Sequence, residues 1–281
     1  MSQVSPYPVA LSTRRLAAQS GWSLGRLTEI WEYRELLYFL IWRDIKVRYK
    51  QTVLGAGWAI IQPVLTMVVF TIFFGRLAGM PSDGIPYPVF SMAALVPWTY
   101  FATALSSGSQ SVVGSQHVIS KVYFPRLIFP LVSVLGPLVD FGIAFLVLIA
   151  LMFWYGILPG AAVLWLPALL LLSILTAAAG SVWLSALNVQ YRDVRYVVPF
   201  VIQLWMFASP VIYPASHVPE RWRTLFFLNP MAGVIEGFRS ALVGGSSPGW
   251  ITLVSAAVVI VSLVAGAAYF HRLEGTFADR I

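Results

Sequence analysis

The sequence predicts an all-α integral membrane protein with six transmembrane helices, an N-terminal amphipathic interface helix and short re-entrant helices before the last span. Hydrophobic residues make up 59% of the chain and charged residues only 10%, whereas soluble domains carry about 25% charged residues. The mean hydropathy is +0.80. Several apolar stretches reach the length of about 20 residues that a helix needs to cross a bilayer. They are continuous rather than alternating, which disfavours a β-barrel.

The chain before the first span divides into a tail and a basic helix. Residues 1–30 contain no apolar core of the kind that a cleaved signal peptide needs, so we expect a cytoplasmic tail. Residues 31–52 are expected to lie along the membrane surface as an amphipathic helix, because helical spacing separates two sets of side chains. The apolar face holds Leu37, Tyr38, Ile41, Ile45 and Tyr49, and the opposite face holds Arg43, Lys46 and Lys50. The alternative is a basic stretch that only sets the topology.

The six predicted spans form a transmembrane domain over residues 53–270. They cover 53–75, 89–113, 127–155, 161–187, 196–213 and 250–270. An even number of spans returns the C-terminal tail, 271–281, to the side of the N-terminus. Cytoplasmic loops are enriched in Lys and Arg, and all but four of the 18 such residues fall on that side. We therefore expect both termini in the cytoplasm. The four exceptions are Arg76, Arg221, Arg223 and Arg239.

The exterior region between the fifth and sixth spans, residues 214–249, is more than a linker. The segments 224–230 and 231–243 are too short to span a bilayer and too apolar to be freely solvated, which is typical of re-entrant helices. Asn229 and Pro230 are expected to separate one short helix from the next. Such helices close the outer mouth of a pathway, or else they are interfacial anchors with no gating role.

Two loops on the cytoplasmic side have alternative interpretations. Lys121 and Arg126, in SKVYFPRLIFP, either dock a soluble partner or only flank a helix end. Arg192, Asp193 and Arg195, in NVQYRDVRYVVP, are expected to pair locally in a structural role.

Polar residues within the predicted spans are few. Asp140 is the lone acid within a span, and an intramembrane acid is by default a functional hypothesis. We favour a structural role, in which carbonyl groups and water near Pro137 satisfy the carboxylate, over a role in substrate passage or proton relay. Gln62 and Gln203 are expected to form hydrogen bonds between helices.

Several classes of site are excluded or disfavoured. The chain has no cysteine, so disulfides, thiolate metal ligands and cysteine nucleophiles are excluded. The three histidines are scattered, and no metal site is expected. The G-x-S-x-G sequence at 245–249 lacks the strand that a nucleophile elbow requires. The positive net charge lies at membrane flanks, so a nucleic-acid partner is not expected.

Four stretches resemble those of type-2 ABC transporter permeases that export polysaccharides such as O-antigen, capsule and teichoic acid. They are RDIKVRYKQTVLGAGWAIIQP, SKVYFPRLIFP, RDVRYVVPFVIQLWMFASPVIYP and NPMAGVIEGFRSAL. They occur in the order of that family, between about Tyr33 and Phe270. The resemblance implies a homodimer of permeases in the bacterial inner membrane that binds two copies of a separate ATP-binding subunit and exports a lipid-linked polysaccharide. No Walker A pattern occurs in the chain, so ATP and Mg²⁺ are expected in the partner subunit, and this chain is not expected to be an enzyme or to hold a cofactor.

The resemblance also implies two sets of functional residues. The surface for the ATP-binding subunit would lie on the interface helix and on the loop from His117 to Arg126, with Arg43, Lys46, Arg48, Lys50, Lys121 and Arg126 as contacts. An exterior gate would hold Trp222, Phe226, Phe227, Asn229, Pro230, Phe238 and Arg239.

Aromatic residues suit a glycan channel, because the apolar faces of sugar rings pack on aromatic rings. The candidates are Trp98, Tyr100, Phe101, Trp205, Phe207 and Tyr213. They belong equally well to the aromatic belt at the membrane interface. Two other functions stay open: a type-2 ABC exporter of drugs or lipids, and a membrane-embedded enzyme that acts on lipid-linked glycans.

Overall fold

The computed structural model describes residues 30–50, 57–119, 124–244, 249–275 and 277, and the part of the chain that it describes is helical without strands. The predicted N-terminal tail, the segment 51–56, Lys121, residues 245–248 and most of the C-terminal tail lie outside the described residues. The interface helix α1 covers Arg34–Lys50.

Five helical stretches have the length and composition to cross a membrane, and they confirm five of the six predicted spans. They are Gly57–Leu77, Tyr87–Val118, Ile128–Trp154, Ala161–Gln190 and Thr252–Glu274. The first contains α2 (Gly57–Phe70) and a π-helical end (Thr71–Leu77). The second contains α3 (Tyr87–Gly114) and the short α4 (Gln116–Ile119).

The third membrane-length stretch is interrupted at its start. It contains α5 (Ile128–Leu135) and α6 (Leu138–Trp154). Pro137 separates them, because proline has no N–H for the helical ladder. The fourth stretch contains a 3₁₀ turn (Ala161–Trp165) and α7 (Leu166–Gln190), and the last is α11 (Trp250–Glu274).

The predicted fifth span is shorter than expected. Helix α8 (Val194–Phe207) has 14 residues, which corresponds to about 21 Å, less than the ~30 Å of a hydrocarbon core. The chain then turns through 208–211. Two short helices follow, α9 (Glu220–Phe226) and α10 (Pro230–Arg239), with a π turn at Ser240–Gly244. The break at Asn229 and Pro230 is therefore confirmed.

Helix α3 forms the centre of the fold. In its most apolar 18-residue stretch 78% of the residues are buried, against 11% in the first span. It packs closely on α7, where a Cβ at Gly108 would lie 2.2 Å from Ser181 Oγ. The Ser181 hydroxyl donates to the carbonyl of Ala104 at 3.2 Å, and Asn188 Nδ2 donates to the carbonyl of Ser109 at 2.9 Å. These contacts fix two spans to each other, whereas the first span and α8 lie at the edge.

Candidate functional site

The interface helix turns one face towards the bundle. Leu40 is only 5% exposed, and Leu36, Leu37 and Ile41 pack with it in one hydrophobic cluster. Ile45 and Tyr49 are half-buried on the same side. Tyr38 is 71% exposed, so its predicted place on the apolar face is wrong. It lies two residues from Leu40, which is about 200° around a helix.

An acid in the transmembrane domain binds the end of the interface helix. Arg48 Nη1 lies 2.5 Å from Asp140 Oδ2, and the hydroxyl of Tyr49 donates to Asp140 Oδ1. Arg48 Nη2 also lies 3.4 Å from Asp44 Oδ2, one helical turn earlier. Asp140 is in the first turn of α6. The structural role predicted for it is thus fulfilled by α1 rather than by groups near Pro137.

Arg48 and Asp140 border a cavity of about 300 Å³ between α1, α2, α3 and α6. Gln62 lines this cavity, while Gln203 is exposed on α8. The predicted hydrogen bonds of these two glutamines between helices are absent from the described part of the chain. Burial and the hydrogen bond to Asp140 both raise the pKa of Tyr49, so Tyr49 remains a neutral donor to the carboxylate.

The other basic residues of α1 point away from the bundle. Arg43, Lys46 and Lys50 are exposed, as the helical spacing predicted. The ammonium of Lys46 lies over the ring of Trp42, 4.4 Å from its centre. This face has the positive charge and the exposure that a protein partner with acidic residues needs, whereas the guanidinium of Arg48 is already engaged by Asp140.

Arg126 binds the C-terminal end of the last span. Its backbone N–H donates to Glu274 Oε1 at 3.2 Å, its guanidinium donates to the carbonyl of Glu274, and it lies over the ring of Phe277 at 5.8 Å. A cation at the C-terminus of a helix is stabilised by the terminal carbonyl groups. In this conformation Arg126 ties the loop before α5 to the end of α11.

Three of the predicted channel residues lie inside the subunit. Trp98, Tyr100 and Phe101 are 4%, 2% and 0% exposed. The hydroxyl of Tyr100 donates to the carbonyl of Val134 at 3.1 Å, and the Phe101 ring packs edge-on against Trp205 at 5.1 Å. Such side chains contact no polymer in this conformation. Tyr100 holds α3 against α5 and Phe101 holds it against α8, while Trp98 packs on Phe101 of the same helix.

The remaining aromatic candidates lie on or after α8. Phe207 is 50% exposed, while Trp205 and Tyr213 are half-buried. Tyr213 donates to the carbonyl of Phe207 at 3.1 Å. Sequence reasoning missed Tyr196 and Phe200, which are 67% and 61% exposed on the same helix. This face could have been identified from the four-residue spacing of Tyr196, Phe200 and Leu204. The buried residues Val198 and Ile202 lie on the opposite side of the helix.

Asn229 joins the short helices to the end of α8. Its side-chain oxygen accepts from the N–H of Met231 at 3.1 Å and from Trp205 Nε1 at 2.9 Å. Its amide nitrogen donates to the carbonyl of Ala208 at 3.2 Å and to Ser209 Oγ at 2.9 Å. Asn229 is thus the N-cap of α10 and a bridge between two segments, and Pro230 takes the first helical position, where its missing N–H costs nothing.

Arg239 ends α10 in the core. It is 3% exposed and forms an ion pair with Glu236 at 2.9 Å. Its Nη2 donates to the carbonyl of Pro210 at 2.8 Å, and the guanidinium lies 3.7 Å from the centre of the Phe90 ring. A buried charge persists only when it is paired in this way. Arg239 therefore fixes α10 to the turn after α8 and to α3.

The other predicted gate residues differ in exposure. Phe227 and Phe238 are 6% and 1% exposed, whereas Trp222 is 51% exposed. The ring of Phe226 packs on Tyr213 at 6.3 Å. Helix α10 is also close to α11, because a Cβ at Gly233 would lie 2.4 Å from Ser255 Oγ. Within the predicted gate, α9 with Trp222 is therefore the exposed part and α10 is the buried part.

Comparison with known proteins identifies the family. A model of the ABC-2 type transporter family matches residues 35–243. The chain belongs to the ABC-2 type transporter family. The match in this ABC-2 chain begins in α1 and ends in the π turn after α10, so it includes the interface helix, the Asp140 contact and both short helices.

Relatives of this ABC-2 chain match it over most of their length. The O-antigen export system permease protein RfbA of Myxococcus xanthus is 31% identical over 257 residues, which cover 90% of this chain and 98% of the relative. A protein of the same name from Klebsiella pneumoniae is 29% identical, with 87% and 94% covered. The polysialic acid transport protein KpsM of Escherichia coli is 24% identical, with 92% and 97% covered.

Proposed function

We propose that this chain is the permease subunit of an ABC exporter that moves a lipid-linked polysaccharide of the O-antigen type across the bacterial inner membrane. The observation that carries the proposal is the 31% identity to an O-antigen export permease over nearly the whole length of both chains. The chain itself performs no chemistry. ATP and Mg²⁺ bind to a separate subunit, whose hydrolysis cycle drives transport.

The assembly is two permeases with two ATP-binding subunits below them, and both termini face the cytoplasm. The exposed cations Arg43, Lys46 and Lys50 support α1 as the contact for the ATP-binding subunit. Opposite charges at the rim of an interface speed association and set its orientation. Lys121 belongs to the same proposed surface. Arg48 does not contact the ATP-binding subunit itself but links α1 to the transmembrane domain through Asp140.

The polysaccharide passes between the two permeases along α8. The exposed residues Tyr196, Phe200 and Phe207 support this path, because aromatic rings pack on the apolar faces of sugars. Each of these residues would bind the polymer only weakly, so the polymer can slide along the helix. The buried residues Trp98, Tyr100 and Phe101 lie behind this surface, and Phe101 supports α8 through Trp205.

Coupling runs from α1 into the membrane through Arg48 and Asp140. When the ATP-binding subunits close, α1 moves, and the ion pair carries that movement to α6. On the outer side, α9 opens about the fixed base of Asn229 and Arg239. The contacts at the two ends of the transmembrane domain support this route.

The first test is to delete the gene in its host and to localise the lipid-linked polysaccharide. Polymer that is still made and accumulates on the cytoplasmic face would establish export. An unchanged surface glycan would favour an exporter of drugs or lipids, and loss of polymer synthesis would favour an enzyme that acts on lipid-linked glycans. Either of these two results overturns the proposal.

A further inference from the structure

A second polar cavity lies where α3, α7 and α8 meet. It has a volume of about 420 Å³ and lies at the end of the bundle that is predicted to face the cytoplasm. Its polar lining consists of Gln110, Gln116, Asn188, Arg192 and Arg195. Because a water molecule occupies about 30 Å³, the cavity has room for a phosphate or diphosphate group with several waters.

The two arginines of this cavity carry charge that the described part of the chain does not neutralise. Neither guanidinium lies within 4 Å of a carboxylate there, and Asp193, which stands between them in the sequence, pairs with neither. The predicted local pairing of Arg192, Asp193 and Arg195 is therefore wrong. Arg195 Nη2 donates to the hydroxyl of Tyr196 at 2.8 Å, which orients the guanidinium and leaves its other N–H groups free for an anion.

Arg192 and Arg195 differ from three arginines that join segments of the described chain. Arg48 binds Asp140, Arg239 binds Glu236, and Arg126 binds groups of Glu274. Those contacts hold helices together. Arg192 and Arg195 hold nothing of this kind, and they line a cavity that contains no acid among its residues. Guanidinium groups bind phosphate oxygens with strong, directional hydrogen bonds.

The surface next to the cavity indicates an amphiphilic ligand rather than a free anion. Beyond Arg195, helix α8 exposes Val197, Phe200, Val201 and Leu204, each 43% exposed or more. A cationic recess that continues into an exposed apolar helix face complements a molecule with a phosphate head and a hydrocarbon chain. A soluble protein would meet this apolar face inside the membrane, where it has no access.

We infer that the cavity between α3, α7 and α8 binds the phosphate group of the lipid that carries the exported glycan, with Arg192 and Arg195 as its ligands. The inference rests on the proposed function, since a lipid-linked substrate is what brings such a carrier to this chain. It assigns a recognition site for the lipid head at the end of the α8 face that is also proposed as the path of the sugar polymer.

The test measures binding of a fluorescent long-chain polyprenyl phosphate to the permease purified with its ATP-binding subunit in lipid nanodiscs. The test variant is R192Q/R195Q, and the matched control is R76Q/R272Q, which removes two exposed arginines elsewhere. The R192K/R195K variant keeps the charge without the bidentate geometry. We expect the affinity of R192Q/R195Q to be roughly tenfold to a hundredfold weaker, as when charge-assisted hydrogen bonds are removed. The control should bind like the wild type, and the lysine variant should fall between.

Competition separates the possible sources of the phosphate. Neutral polyprenol, phosphatidylglycerol and inorganic pyrophosphate are added in turn. Weak competition by all three supports a site for the phosphorylated carrier. Equal competition by phosphatidylglycerol would overturn it in favour of a general anionic-lipid site, and equal competition by pyrophosphate in favour of a free-anion site. The site would also be overturned if R192Q/R195Q bound the carrier with unchanged affinity. The same holds if that variant lost the ATP-binding subunit while its affinity for the carrier stayed intact.

The two experiments distinguish a failure of the proposed site from a failure of the proposed function. If deletion traps polymer inside the cell but R192Q/R195Q binds the carrier normally, the proposed function stands and the site is wrong. If deletion leaves the surface glycan unchanged while the wild type binds the carrier and R192Q/R195Q does not, the site stands and the proposed function is wrong.

Discussion

Three polar side chains carry contacts between segments that are far apart in the sequence. Asp140 accepts from Arg48, which is 92 residues away, Asn229 donates to Ala208 and Ser209, and Arg239 donates to Pro210. Each lies where the chain changes direction between helices. Removal of one partner from such a contact leaves the other polar group without compensation, which costs more than the contact itself contributes.

Asp140→Asn is expected to uncouple transport from ATP hydrolysis. The substitution removes the charge that holds Arg48 but keeps the size of the side chain. Export should fall about tenfold, equivalent to ~1.4 kcal/mol, while the complex still assembles and hydrolyses ATP. Surface polysaccharide and ATPase rate are measured side by side. D140E keeps the charge and should retain more export than D140N. R76Q, which removes an exposed arginine outside α1, serves as the control. Normal export in D140N would remove Asp140 from the coupling route.

Asn229→Ala is expected to destabilise the fold on the gate side. It removes an N-cap, worth about 1 kcal/mol, and leaves Trp205 Nε1 and the carbonyl of Ala208 without their partner. We expect a loss of about 2–4 kcal/mol in the free energy of unfolding, visible as a lower melting temperature of the purified protein. The control is Ser216→Ala, whose hydrogen bond to Asp83 is exposed. Equal melting temperatures for the two variants would contradict the bridging role of Asn229.

Among the helices, α3 and α7 form the closest pair. Gly108 and Ser181 approach so closely that no side chain fits at position 108 without movement of α7. Small residues at such positions let two helices in a membrane pack through their backbones. The packing of the other helices depends on this pair, because α3 also contacts the first span, α5, α6, α8 and α10.

Gly108→Ala tests this helix contact against a control on the same helix. A Cβ at position 108 would meet Ser181 Oγ at 2.2 Å, whereas a Cβ at Gly114 meets nothing within 4 Å. We expect G108A to lose about 1–3 kcal/mol of stability and G114A to be neutral or slightly stabilised. The double variant G108A/S181G should recover part of that stability, because Oγ and Cβ of Ser181, the two atoms in the way, are removed, although a glycine inside α7 has a cost of its own. A G108A variant as stable as G114A would show that α7 moves freely.

Apolar length and helical spacing predicted most of the elements but not the contacts between them. Five spans, the inward face of α1 at Leu37 and Ile41, and the break before Pro230 follow from properties of short segments. The early end of α8 does not, because the turn at 208–211 is held by Asn229 and Arg239, from 21 to 29 residues later in the chain. The partner of Arg48 is likewise invisible in the sequence, since periodicity places a residue on a face without naming what faces it.

At the scale of the whole molecule, burial is concentrated in the centre and the edges are left open. Helix α3 is largely buried, while only 11% of the residues in the apolar stretch of the first span are buried, and α8 exposes Phe200 and Leu204 at 61% and 54%. An exposed apolar face meets either lipid or a second copy of the chain. The proposed homodimer places the face of α8 at the boundary with the second copy, where the proposed path of the polysaccharide runs.

Single cysteines test this arrangement without interference, because the chain has no cysteine of its own. F200C and L204C are expected to cross-link two copies in native membranes, by disulfide or by a short bis-maleimide. L146C is the control, since Leu146 is 69% exposed on α6 rather than on α8. The measurement is the fraction of dimer on a denaturing gel. Cross-linking at Leu146 in place of the two α8 positions would move the dimer interface to another face.

The Asp140 contact also has a rotational consequence. Its two carboxylate oxygens are taken by consecutive residues, Arg48 and Tyr49, whose side chains leave α1 about 100° apart. One bond alone would let the helix swivel about the point of attachment. Two bonds to the same carboxylate fix the rotation of α1 about its own axis relative to α6, as well as the distance between the two helices. Torque applied to the surface helix is therefore transmitted into the bilayer together with simple displacement.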